Sequence, residues 1–172
     1  MLRIAIVIAV MLVLVIMIVV AAGYALPIEH VAERSAVVAY PPARVFGLLT
    51  DVEGYPRWRG DVTRVDVLSR APHMQWREHG GTRSITFEAV EVVPPVRLVS
   101  RIADPALPFG GTWTYRLAPE GPGTRVTITE QGQVFNPVFR FMSRFVFGHT
   151  ATIDAFLADL RKAAPDSRFE AE

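Results

Sequence analysis

Residues 109–134, FGGTWTYRLAPEGPGTRVTITEQGQV, read as two strands joined by a tight reversal. Trp113 and Tyr115 fall on one face of Thr112–Ala118, and Val126, Ile128 and Glu130 fall on one face of Thr124–Val134. Between them, Glu120–Gly123 supplies the Gly and Pro that make a reversal cheap. Upstream the same grammar repeats in Val62–Ser69, His73–His79, Arg83–Val93 and Arg97–Ala103. These are parted by Ala71-Pro72, Gly80-Gly81, Pro94-Pro95 and Pro108–Gly111. Six consecutive strands with hairpin-length links predict an antiparallel meander. A seventh strand, Glu33–Tyr40, comes first. Pro41-Pro42 stops it and opens a short helix carrying Val45, Phe46, Leu48 and Leu49, and Gly54-Tyr55-Pro56 breaks that helix before a second turn carrying Trp58.

Downstream of Asn136-Pro137 the period changes to 3.6. Val138, Met142, Phe145, His149, Ile153, Phe156 and Leu160 form one line, predicting a helix of about seven turns. A seven-stranded antiparallel sheet must bury one face, and this helix is its large apolar partner, so the fold class expected is α+β with the sheet curled around the helix. Alternation points Val65, Val67, Met74, Trp76, Ile85, Phe87, Trp113, Tyr115, Val126 and Ile128 inward.

At the other end of the chain, Ile4–Ala22 is an unbroken run of 19 apolar residues. As a helix it reaches about 28 Å, close to the hydrocarbon thickness of a bilayer. The run reads as a transmembrane anchor through residues 4–22. A cleaved signal peptide, framed by Ala21, Gly23 and Ala25, is the competing reading and would leave a secreted domain. Arg3 before the span, with no basic excess in Glu29, His30, Glu33 and Arg34 after it, places the N-terminus in the cytoplasm and the domain outside. The chain of 172 residues thus divides into an anchor and linker (1–28), a domain (29–164) and a polar tail (165–172) expected to be disordered.

Residues 29–172 carry 17 basic and 17 acidic side chains, which argues against nucleic acid as a partner because such binding needs a basic surplus. With no cysteine there is no disulfide framework, thiol catalysis or thiolate metal site. His30, His73, His79 and His149 lack metal-ligand spacing, and no phosphate loop or nucleophile elbow occurs, so neither metal nor cofactor is expected.

This element order, with PPARVFGLLTDVEGYPRWRGDV at residues 41–62, FGGTWTYRL at 109–117 and GTRVTITEQGQV at 123–134, resembles the polyketide cyclase/dehydrase and lipid-transport superfamily, also called SRPBCC or START-like. The resemblance spans roughly residues 32–163. It implies the helix-grip fold, with a hydrophobic cavity between sheet and helix in which relatives bind lipids, sterols or polyketides, some of them catalysing cyclisation or dehydration.

Trp76, Phe87, Trp113, Tyr115, Phe145, Ile153 and Phe156 are the expected lining of that cavity, with Glu130 and His149 as its polar contacts. A hydrophobic small molecule or lipid is the expected partner. His149 sits on the apolar line of the helix, and Glu130 and Glu78 alternate onto the inward face. Together they are the candidates for acid–base catalysis, against the plainer reading of a structural hydrogen-bonded pair. A third reading is a non-catalytic partner-binding unit with a vestigial cavity. Glu88 and Arg101 are placed to pair across adjacent strands, and Arg57 and Arg59 read as surface or rim charges with Trp58 packed beneath them. Five phenylalanines between Phe135 and Phe147, beside a 104–111 loop containing Gly110-Gly111, form either a mobile apolar lid or the closure of the core.

Overall fold

The computed structural model describes residues 1–81, 83–148 and 150–163. Seven strands form one antiparallel sheet: β1 Glu29–Val38, β2 Arg64–Ser69, β3 Gln75–Gly80, β4 Arg83–Val93, β5 Arg97–Ile102, β6 Phe109–Glu120 and β7 Gly123–Val134. Their spatial order is β1-β7-β6-β5-β4-β3-β2, so β2 to β7 make the expected meander and β1 closes onto β7 at the far edge. Glu88 faces Arg101 across β4 and β5, and their side chains meet at 2.7 Å.

The helices are α1 Leu2–Ala25, α2 Pro42–Thr50, α3 Pro137–Met142 and α4 Ala151–Ala163. In α2 the proline occupies the first turn, where its missing N–H costs nothing, and Val45, Phe46 and Leu49 are buried. The Asp51 carboxylate then accepts from the Gly54 amide at 3.2 Å, turning the chain into a 3-10 segment at Val52–Arg57. Tyr55 from that segment donates to the Leu49 carbonyl at 2.7 Å, locking both pieces together.

α4 lies in the curl of the sheet. Ile153, Phe156, Leu157 and Leu160, spaced as one helical face, are all buried. They pack with Val38, Tyr115, Val126 and Ile128 into the core, and Val65, Val67, Met74, Phe87 and Trp113 flank it partly buried.

The seven-turn helix expected from Val138 to Leu160 is corrected. Its first part is α3, a π-helical turn follows at Ser143–Phe147, and Gly148 ends it with φ 75° and ψ 154°. That conformation is open essentially to glycine alone, so the direction of the chain changes there. The apolar line survives in sequence because the spacing stays in step across the break. In space Phe145, expected in the interior, is 62% exposed and packs its ring against Phe141. His149 and the tail from residue 164 onward lie outside the described residues.

α1 is long and apolar enough to cross a membrane, and nearly all of it is exposed. Its last turn is fixed to the domain. Gly23 is buried against the Pro137 carbonyl at the start of α3, so closely that a methyl group there would overlap it. The Arg140 guanidinium donates to the Leu26 carbonyl at 2.9 Å, and the Val134 amide donates to the Ile28 carbonyl at 2.9 Å.

Candidate functional site

The concave face of the sheet is organised around Phe156 of α4. Trp58, Trp113 and Tyr115 each set a ring against it, with centroids 5.4, 5.7 and 5.6 Å away. Trp76 on β3 stacks on Phe87 of β4 at 5.7 Å, as their direct cross-strand pairing requires. Six residues expected to line the interior, Trp76, Phe87, Trp113, Tyr115, Ile153 and Phe156, are thus brought to this face. The middle is filled by rings in mutual contact. Phe87 and Trp113 stay half-buried, and the concave face retains contact with solvent beside them.

Two carboxylates face the same concavity from opposite flanks, Glu78 on β3 and Glu130 on β7, and Tyr115 feels the field of both. Their environments differ. Both oxygens of Glu78 are engaged: Trp76 Nε1 donates to Oε1 at 2.8 Å and Arg59 Nη1 donates to Oε2 at 2.9 Å. Burial pushes the Glu78 carboxyl up, and the Arg59 charge and the Trp76 bond offset this in part. Arg59 also donates to Asp61 at 2.7 Å and lies over the rings of Tyr55 and Phe156. Burial works against the Arg59 charge, but Glu78 and Asp61 outweigh it and hold the guanidinium above its ordinary range. The surface or rim position expected of Arg59 is therefore corrected: its side chain is 11% exposed and serves as counter-ion to a buried acid. The surrounding hydroxyls, Tyr55 and Tyr115, are pushed up mainly by burial, so both are neutral donors at ordinary pH.

Among the described residues no arginine or lysine pairs with Glu130. It lies directly opposite Trp113, and burial raises its carboxyl above the usual carboxylate range, the Trp113 indole offsetting this in part. The imidazole beside it is His30, whose Nε2 stands 3.6 Å from Oε1. Sequence reading missed His30 because β1 was expected to start at Glu33. The strand starts at Glu29, and its register sets His30 opposite Gly132, whose bare backbone accommodates the ring. The signal available in the sequence was Gly132 itself, a gap in the strand two residues from an inward acid. Whether His149 joins this group lies outside the described residues.

Chemically the arrangement offers an aromatic wall with one solvated end, a carboxyl whose proton affinity burial raises at that end, and an imidazole near it. Among the described residues no group of three or more His, Asp or Glu side chains could hold a metal ion.

The fold recurs in known proteins. Zhui aromatase/cyclase from a Streptomyces species superposes with a TM-score of 0.65 at 16% identity, covering 83% of this chain and 98% of its own. A START superfamily protein from Mycobacterium smegmatis gives 0.61 at 17% identity, covering 78% and 97%. The di-domain ARO/CYC StfQ of the steffimycin biosynthetic pathway gives 0.65 at 16% identity over 80% of this chain, which spans about half of that protein (51%). Among curated proteins none matches. These identities carry the fold and not the activity, but a family model named polyketide cyclase / dehydrase and lipid transport matches residues 29–165. On that match the chain belongs to this family.

Proposed function

We propose that the protein is a membrane-tethered domain, spanning 29–164, that binds a hydrophobic small molecule or lipid at the solvated end of its concave face. The observation that carries this reading is the half-buried aromatic pair Phe87 and Trp113 beside Glu130, a carboxyl that burial favours in its neutral form. Apolar area removed from water there supplies affinity at about 25 cal/mol per Å² before ordering costs. Trp113 and Glu130 supply a polar contact that orients the guest. The anchor is α1, with its N-terminus in the cytoplasm and the domain outside. The family name and the START-like fold support a hydrophobic ligand, and the apolar helix supports the tether.

All three tryptophans, Trp58, Trp76 and Trp113, belong to this face or its flank, so energy transfer to a dansyl-labelled fatty acid reads the site directly. The full chain in nanodiscs should show saturable transfer at one probe per chain, weakened several-fold in Trp113→Ala or Phe87→Ala. Transfer that rises linearly with probe, equal in wild type and variants, reports partition into lipid and overturns the reading.

A second reading, a cyclase- or dehydratase-type enzyme, is favoured by the His30–Glu130 pair. A protonated Glu130 can donate a proton and the imidazole can take one up, whereas Glu78 is tied to Arg59 and Trp76. Aromatase/cyclase neighbours lend it support. Turnover of a poly-β-ketone substrate, abolished by Glu130→Gln with probe binding intact, would establish it. Identical product profiles with and without protein would remove it.

A further inference from the structure

We propose that the α1–α3 junction is a bilayer-docking surface whose Arg140/Arg144 pocket takes the phosphate of an anionic lipid headgroup. This rests on the reading of α1 as a membrane span. α1 has 24 residues, about 36 Å of helix, against a hydrocarbon core of about 30 Å. With Ile4–Ala22 in the hydrocarbon, Gly23 emerges at headgroup level, and whatever touches it shares that depth. Pro137 of α3 touches it.

Around that contact Phe135, Val138, Phe139 and Val146 are 51, 40, 37 and 58% exposed, together with Phe145 of the same segment. Clustered large apolar side chains mark interaction sites, and these sit beside a span. Cations are interleaved with them: Arg144 is exposed, and the Arg83 guanidinium lies 5.8 Å over the Phe139 ring. Apolar side chains mixed with arginines are the composition of helices that lie in the interface of an anionic membrane.

A pocket of about 300 Å³ opens where the chain leaves α1, walled by Leu26, Ile28 and Val134 and lined also by Arg140, Arg144 and Glu29. Arg140 is 8% exposed. Among the described residues its hydrogen bonds go to the Leu26 and Phe135 carbonyls and its Nε has no partner. A buried guanidinium satisfied only by neutral carbonyls lacks a counter-ion, and a phosphate supplies one. Glu29 lines the same pocket, its carboxylate accepting from Gln133, so two arginines stand against one acid and the balance favours an anion.

The chain has no cysteine, so single introduced cysteines report position cleanly. Full-length protein with a nitroxide at Phe139→Cys or Val146→Cys, in phosphatidylcholine nanodiscs with phosphatidylglycerol, should show oxygen-favoured collisions at headgroup depth or below. Val92→Cys, at the opposite end of the sheet, should stay exposed to aqueous nickel chelate. Phosphatidylglycerol should be retained over phosphatidylcholine in native mass spectra, and Arg144→Gln should reduce its retention several-fold. Aqueous accessibility at both 139 and 146 overturns the docking surface, and equal retention of the two lipids, or retention unchanged in Arg144→Gln, overturns the pocket. Displacement of the bound lipid by free glycerophosphate would assign the pocket to a soluble anion instead. A label at Val13→Cys separates the two readings: outside the hydrocarbon, the tether itself fails; inside it, with 139 and 146 in water, only the docking surface fails.

Discussion

Replacing Arg59 by methionine tests the account of the concave face most severely. The substitution keeps an apolar body over Tyr55 and Phe156 and removes the counter-ion of Glu78. The two side chains are 11% and 9% exposed, so the pair is a buried one, and removing one partner of such a pair costs about 3–5 kcal/mol. Glu78→Gln should cost less, about 1–3 kcal/mol, because Arg59 keeps Asp61 and the amide oxygen still accepts from Trp76. The double variant should fall short of the sum by about 1–3 kcal/mol, since the second change removes a charge already stranded.

The dependence on pH follows from the direction of the Glu78 shift. A carboxyl raised on folding penalises the native state once it is ionised. That penalty is absent below the unfolded value, about pH 4.3, and grows as pH rises through the folded one. Without Arg59 the penalty is larger, so the deficit of Arg59→Met should be greatest near pH 8 and shrink towards pH ~4.5. Urea unfolding of the full chain in micelles, followed by tryptophan emission, reads both quantities because every tryptophan lies in or beside the network. A loss below about 1 kcal/mol near pH 8, or one that does not change with pH, would show that Arg59 is not the counter-ion of a buried Glu78.

Three further outcomes follow from the same geometry. Glu130→Gln should raise stability near pH 8 and converge on wild type in acid, because burial raises that carboxyl and the amide has no charge to desolvate; a less stable variant at pH 8 would show that the His30 pairing dominates. Gly132→Ala should leave the fold intact at a cost of about 1 kcal/mol while pushing the imidazole away from Glu130, and a crystal structure of the variant with the His30 ring unmoved would contradict this. Gly148→Ala should cost about 1–3 kcal/mol although the site is open, because the strain lies in the backbone dihedrals; equal urea midpoints would contradict it.

The strands were legible because each buries one face and therefore alternates, and β4 begins and ends where alternation places it, at Arg83 and Val93. Reading failed where backbone pairing continues without a side-chain pattern. β6 extends back through Gly110-Gly111, which read as a turn, because Gly111 lies opposite Gly132 and the ladder needs no side chain there. β1 likewise extends back to Glu29 as an edge strand, held by main-chain bonds to β7, and this hid His30. The broken helix was missed for a different reason. A 3.6-residue period records which residues are apolar and not whether the axis runs straight, so a glycine with positive φ was invisible to it. Arg59 was within reach: once Glu78 is placed inward beside Trp76, a buried carboxylate demands a nearby cation, and the RWRGD stretch after the second short helix holds one.

The positions of the two acids relative to α1 bear on how a guest would arrive. Glu78 lies towards the β2 edge, and Arg59 and the rings around Phe156 fill the space beside it. Glu130 lies on β7, four residues before Val134, whose amide binds the Ile28 carbonyl just after α1. At about 3.3 Å per residue, the half-buried end of the concave face is therefore roughly 13 Å from the point where the chain leaves α1. Three residues, Leu26–Ile28, connect α1 to β1, and Arg140 grips the first of them. Such a link cannot act as a swinging tether, so the open flank near Trp113 and Glu130 keeps one orientation towards α1. Inserting a flexible Gly/Ser segment after Pro27 should then leave the affinity for a dissolved fatty-acid probe unchanged and slow uptake of the same probe from vesicles. Uptake rates independent of the insertion would show that the fixed junction plays no part in loading.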